Sequence, residues 1–180
     1  MRIIVGAGKT KYNGWVSTQE NELNLLSIDQ WENISKNDDI EAILAEHVWE
    51  HLSYEDGIKA AENCYKFLKP GGYVRCAVPD KNFKNEWYQN MVKVGGPGHE
   101  AHPASAHKIV YDYKTLVNVF ESAGFKVTLL EYCDEQGDFH YREWSESKGK
   151  ICRSYRFDNR NSRGTLGMVS IIIDAVKPIE

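Results

Sequence analysis

The chain has only four cysteines in 180 residues, and no two of them stand in C-x-x-C spacing. Cys64, Cys76, Cys133 and Cys152 are too scattered for a zinc ribbon or a redox dithiol, so reduced thiols in a cytoplasmic protein are expected. No apolar run approaches the ~20 residues of a membrane helix. No leader is legible either, because Met1-Arg2 runs straight into a strand-like segment. In a cytoplasmic protein the sequon Asn33-Ile34-Ser35 carries no meaning. Excess positive charge is missing too: the net charge is -4, which gives no general attraction to nucleic acid or an anionic membrane. Repeats and low-complexity segments are absent from the pattern. The length suits one domain, residues 1–180, with a real core, and is short for two.

What is present is an alternation of strand and helix patterns. Residues 1–5 are short, β-branched and read as a buried strand. Trp15–Thr18 is a second candidate, and Leu23–Leu26 a weakly marked third. "IEAILAEH" follows as a strand whose end turns polar. "SYEDGIKAAENCYKFLKPGG" is the clearest helix: Ser53 is a suitable N-cap with Asp56 three residues on. Ile58, Ala61, Cys64, Tyr65 and Leu68 form its apolar stripe, and Pro70-Gly71-Gly72 is its stop. "YVRCAVPD" is a strand, "YKTLVNVFESAGF" a helix ending at Gly124, and "KVTLLEY" and "GMVSIIIDAV" close as strands. This order predicts an α/β, mostly parallel sheet with an antiparallel C-terminal edge. Residues 133–167 are polar, aromatic and aperiodic, and read as an insertion or lid between the last two strands.

The stretch "IIVGAGKTKYNGWV" ends its strand in Gly6-Ala7-Gly8 and continues as Gly-Lys-Thr. It is not an ATP-binding loop. That motif needs a glycine five residues before Gly8, and the position is Ile3, inside the strand. A third glycine of a dinucleotide fingerprint would fall at Lys11. What remains is a glycine turn where backbone approaches something, with N–H groups able to face an anion. "HVWEH" spells the H-x-x-E-H of a zinc peptidase class. It directly follows a strand and precedes the helix start at Ser53, so a peptidase is disfavoured. The plainer reading is that His51 caps or packs the next helix.

Four motifs in order resemble the class I S-adenosylmethionine-dependent methyltransferases, specifically the small bacterial group related to the type 11 family. They are "VGAGKTKYNGW", "ILAEHVWEHL", "CYKFLKPGGYVRCAVPD" and "ESAGFKVTLLEY", and they span roughly residues 1–132. The resemblance implies a Rossmann-like fold and S-adenosylmethionine as cofactor. It implies that Gly6, Ala7 and Gly8 form the turn under the methionine part of that cofactor. Glu46 and His47 would then lie beside its methyl-bearing sulfur. Where the family has an acid for the ribose hydroxyls this chain has Gln19, with Glu20 next to it. An amide bonds a hydroxyl more weakly than a carboxylate does.

The chain also departs from the family in its first crossover. Only seven residues separate Gly8 from Val16, against the dozen or more of an ordinary parallel crossover. The usual first helix must shrink to a turn, and the helix that normally precedes the first strand is missing. Sheet surface left bare in this way is an association site, so a homo-oligomer, a dimer, is expected to cover it.

The least generic stretch is residues 78–113, "VPDKNFKNEWYQNMVKVGGPGHEAHPASAHKIVYDY". It follows a strand end, where ligands of open parallel sheets bind, and mixes aromatics with His99, His102 and His107. His102 and His107 are candidate bases for an acceptor that must lose a proton, Asp80 an orienting or proton-accepting group, and Tyr111 a weaker candidate. The plainer reading is that these histidines bond backbone in a structured loop. Zinc held by His99, His102 and His107 is disfavoured, since no fourth ligand stands near. The expected function is methyl transfer to a small-molecule acceptor. The alternative is a binding or scaffold protein that keeps the fold without the chemistry.

Overall fold

In the computed structural model, residues 1–36 and 39–179 are described; Asn37, Asp38 and Glu180 lie outside them. Seven strands form one sheet: β1 Arg2–Val5, β2 Val16–Ser17, β3 Ile40–Glu46, β4 Leu68–Val78, β5 Lys126–Cys133, β6 Phe139–Tyr141 and β7 Ile171–Val176. Their order is β2-β1-β3-β4-β7-β5-β6. β1 pairs in parallel with β2 and β3, and β3 with β4, while β7 lies antiparallel between β4 and β5. The expected class, mostly parallel with an antiparallel C-terminal side, is therefore the observed one. The short hairpin β5–β6 sits outermost on that side.

Among the described residues four α-helices accompany the sheet: α1 Ile28–Ile34, α2 Tyr54–Phe67, α3 Glu86–Val92 and α4 Tyr113–Ser122. Ser53 caps α2 by accepting from the Asp56 N–H, and Asp112 caps α4 through the Thr115 N–H. α2 stops at Phe67 because Lys69 precedes Pro70, which disfavours helical backbone. Lys69–Gly72 then bulges out of β4, so the pairing with β3 jumps from Leu68 to Tyr73. Leu23–Leu26 is not a strand. Side chains take its backbone groups instead: Asn24 Oδ1 accepts from Leu26, and the Leu25 carbonyl receives both Trp31 Nε1 and Asn63 Nδ2.

The strand alternation divides the core in two. Ile3, Val5, Ile43, Ala45, Val74 and Cys76 face α2 and α4, with Trp49 and Phe120 packed among them. Ile4, Leu44, Ala77, Leu130 and Ile172 point the other way, where Trp144, Ile151 and Phe157 cover them. Trp144, Ile151 and Phe157 all belong to the insertion, so this same chain covers that face of the sheet.

Three polar anchors hold the insertion there, Arg75 and Glu131 fully buried and Glu46 partly so. The Arg75 guanidinium makes a two-point pair with Asp174 at 2.7 and 2.8 Å and donates to the carbonyls of Ser145 and Gly149. Glu131 accepts from Trp144 Nε1 and the Tyr155 N–H, both at 2.9 Å. Glu46 accepts from the N–H groups of Cys152 and Arg153. No helix among the described residues is long and apolar enough to cross a membrane.

Candidate functional site

The sheet reverses its build direction at β1, which has β2 on one side and β3 on the other. Crevices beyond the carboxyl ends at such a point are where open α/β sheets bind ligands. Here a cavity of about 550 Å³ opens, within the usual size of small-molecule sites. On one side β1 runs into Gly6 and Gly8, with φ of +55° and +54°. At Gly6 the need for glycine is steric as well: a Cβ would stand 2.9 Å from Val48 Cγ2. A Cβ on Gly8 would meet nothing within 4 Å.

The other side is built from the end of β3. His47 adopts φ +56°, a strained left-handed conformation for a residue with a side chain. It is held by its N–H to the Ala77 carbonyl and by Nε2 to Ser170 Oγ, both at 2.8 Å. A single 3₁₀ turn, Trp49–His51, follows. Trp49 is fully buried and donates to the Gly57 carbonyl, so it fixes that turn against α2.

Glu50 on the same turn is wholly inaccessible, and neither carboxylate oxygen has a hydrogen-bond partner. His47 Nδ1 lies 3.3 Å from its Oε1, out of line for a hydrogen bond, and His107 Nε2 lies 3.9 Å away. The His51 and His107 rings meet edge to face at 4.9 Å. His107 Nδ1 is 2.8 Å from the Val92 carbonyl, which only accepts; Nδ1 therefore carries a proton, and in the neutral ring Nε2 presents a lone pair. Burial pushes the Glu50 pKa up, but the charges of His47 and His51 outweigh this and hold it below the usual carboxylate range. Burial pushes His51 down, against the pull of Glu50.

Of the residues singled out in the sequence, Gly6, Ala7, Gly8, Glu46, His47, His102 and His107 line this cavity. His102 is not set up as a base. Its Nδ1 accepts the Ala104 N–H, so the neutral ring carries its proton on Nε2. His99 is outside the cavity lining. Gln19 is turned away from it: its amide clamps Gly8, accepting from the N–H at 3.2 Å and donating to the carbonyl at 2.9 Å. Glu20 is exposed and also absent from the lining.

Asp80 and Tyr111 are both fully buried and away from the cavity walls. Tyr111 sits in the helix-side core with its hydroxyl unpartnered, against Gly57. Asp80 is a strand-end bracket: Oδ1 accepts the Asn82 N–H and Oδ2 the Cys133 N–H. Burial raises its pKa to about 6 despite those bonds. The folded chain then keeps this proton through a pH range in which the unfolded chain has lost it. The group's contribution to stability is full below about pH 4 and falls as pH rises to 6. Asp80→Asn should remove that slope. At pH 7 it should also cost about 1–3 kcal/mol, since one amide oxygen cannot serve both N–H groups. Urea titrations of both proteins from pH 4 to 7 measure this; a variant as stable as wild type would contradict the bracket.

A family model described as a methyltransferase domain matches residues 12–130. The chain belongs to that family. Its fold is the one expected from the class I methyltransferases that its motifs resemble. No curated protein matches it. Among solved structures, an S-adenosylmethionine-dependent methyltransferase from Archaeoglobus fulgidus superposes with a TM-score of 0.52 at 18% identity, covering 98% of this chain and 86% of the other. One from Methanosarcina mazei gives 0.51 at 12% identity, over 99% and 92%. At these identities the likeness is one of fold.

The methyltransferase fold accounts for where the cavity lies, and the residues present fit the methyl donor in space. Open room over Gly8 leaves backbone free to approach a ligand. The turn gives few free donors, however: the Ala7 N–H goes to the Thr18 carbonyl and the Thr10 N–H to Ala7, besides the Gln19 clamp. Lys9 and Arg153 add positive charge to the lining, while the Arg160 guanidinium there is paired with Asp158. Sequence reasoning missed the isolation of Glu50 and the anchors Arg75 and Glu131. The only signal was an acid set between two histidines and two large apolar residues in "HVWEHL".

Proposed function

We propose that the chain transfers a methyl group from S-adenosylmethionine to a small-molecule acceptor in the cavity between the β1 turn and the β3 end. One observation carries this reading: a glycine turn with open space above it faces a cluster of basic side chains across about 550 Å³. Gly6–Gly8, with Lys9, would hold the donor; when bound, it supplies an activated methyl group. Methyl transfer is an in-line displacement, so the protein's main task is to align the acceptor and exclude water. Trp87, Met91 and Met168 supply apolar wall, and the anchored insertion closes one side through the bonds of Cys152 and Arg153 to Glu46. Glu50, His51 and His107 form the end where an acceptor hydroxyl or amine would lose its proton.

The test is thermal unfolding with S-adenosylmethionine and S-adenosylhomocysteine. A ligand at 100 times its dissociation constant should stabilise the fold by about 2.7 kcal/mol. No shift at millimolar ligand would favour the second reading, a methyltransferase-fold binding protein without the chemistry. The clamp of Gln19 on Gly8 is what favours that alternative.

A further inference from the structure

Glu50 is the least explained group in the molecule. Among the described residues, the buried side-chain polar atoms without a partner are its two oxygens and the Tyr111 hydroxyl. A lone hydroxyl costs little beside a carboxylate, whose burial as an ion is penalised by several kcal/mol unless something compensates. What surrounds it is imidazole. One ligand atom each from Glu50, His51 and His107 lies within 4.8 Å of the others.

We propose that Glu50, His51 and His107 bind one divalent transition metal ion, of the zinc or cobalt kind, at the floor of the cavity. Two imidazoles and one carboxylate suit such borderline ions, while calcium and magnesium prefer oxygen ligands. The surroundings are those of a ligand set. His107 donates its other ring N–H to the Val92 carbonyl, which fixes the tautomer and aims Nε2 at the cluster. The Glu50 carbonyl accepts the Lys108 N–H, tying the loop that carries His107 to the turn that carries Glu50 and His51. His47, bonded to Ser170, stands beside the Glu50 carboxylate and orients it from outside the set.

A tetrahedral ion with bonds of about 2.1 Å asks its ligand atoms to stand about 3.4 Å apart. His107 Nε2 and Glu50 Oε1 are at 3.9 Å and all three ligand atoms lie within 4.8 Å of one another, so the set must draw together on binding, by about 0.5 Å for that pair. Three protein ligands leave one position open toward the cavity, as in catalytic rather than structural sites. A hydroxyl or water oxygen bound there would be acidified by the ion. That role rests on the function proposed above, whereas the site itself does not.

The experiment is metal analysis of the tag-free full chain after incubation with zinc and exhaustive dialysis, with cobalt substitution followed by visible absorption. The unaltered protein should retain one zinc per chain and show the strong d–d bands of low-coordinate cobalt. Glu50→Gln, which keeps the shape, and His107→Gln should each retain less than a tenth of that metal, while His99→Gln retains all of it. No retained ion and no cobalt bands on the unaltered protein would overturn the site. So would full retention by either cluster variant. The cobalt spectrum needs no variant to fold, and neither readout uses methyl donor or acceptor. A failed metal site thus leaves the S-adenosylmethionine shift as it was, and a missing shift leaves the metal result standing.

Discussion

Replacing Arg75 with alanine should cost the fold about 3–5 kcal/mol, as expected for removal of one partner of a buried ion pair. Arg75 is 1% exposed on the sheet face opposite the helices. Its Nε and Nη2 pair with both oxygens of Asp174, so the variant strands a carboxylate that is only 18% exposed. Its Nη1 donates to the Ser145 and Gly149 carbonyls, so two backbone acceptors of the insertion are orphaned as well. The guanidinium also stacks 4.9 Å from the Trp144 ring, and Trp144 covers the second apolar cluster. Losing the cation should therefore loosen the whole insertion. Urea unfolding measures the cost, and limited proteolysis locates it, with cleavage expected first between Trp144 and Phe157. Arg75→Met with Asp174→Leu should recover part of the loss, because the stranded charge is gone while the carbonyls stay unpaired. A loss below about 1 kcal/mol for Arg75→Ala would mean that the insertion is held by its apolar contacts alone.

This anchor shows why the sheet was legible in the sequence and its cover was not. Strands and the two long helices announce themselves by local period: alternation in β3, the stripe of α2, the cap at Ser53. The insertion has no period, since its elements are a three-residue strand and short 3₁₀ turns. Its place is set by Arg75, Glu131 and Glu46, whose partners stand 70, 13 and 106 residues away at their nearest bonds. Nothing local marks an arginine in "YVRCAVPD" as buried. That gap is why the covering of one sheet face by the chain's own insertion was not legible in the sequence.

The site divides in the same way. Backbone features were readable: Gly6 and Gly8 sit where a strand must turn with positive φ, and Glu46 and His47 follow at the end of the neighbouring parallel strand. Side-chain roles were not. Asp80 follows a strand end beside the cavity, yet it points at the amides of Asn82 and Cys133 rather than at a ligand. His102 and His107 look alike in sequence, and only the direction of one hydrogen bond each separates a ring with an occupied lone pair from one with a free Nε2. Tyr111 is next to Val110 and Asp112 in a mixed stretch, and only packing reveals its burial in the core.

Gly8→Leu should abolish the stabilisation by S-adenosylmethionine, a loss of about 2.7 kcal/mol at a ligand concentration that saturates the wild type a hundredfold. In a chain of this size that is a thermal shift of roughly 5–10 °C that disappears. The reason is spatial. Gly8 lines the cavity, and a Cβ built there meets no protein atom within 4 Å, so a leucine side chain would occupy room the ligand needs. The substitution also forces a side chain onto φ +54°, which strains the backbone with or without ligand. Gly14→Leu separates the two effects. Gly14 has φ +78° and nothing within 4 Å of its Cβ, but it is outside the cavity lining. Both variants should lose comparable stability in the absence of ligand, and Gly14→Leu alone should keep the wild-type shift. If Gly8→Leu kept that shift too, the donor would have to bind away from the β1 turn. The open space over Gly8 would then be a by-product of the shortened crossover.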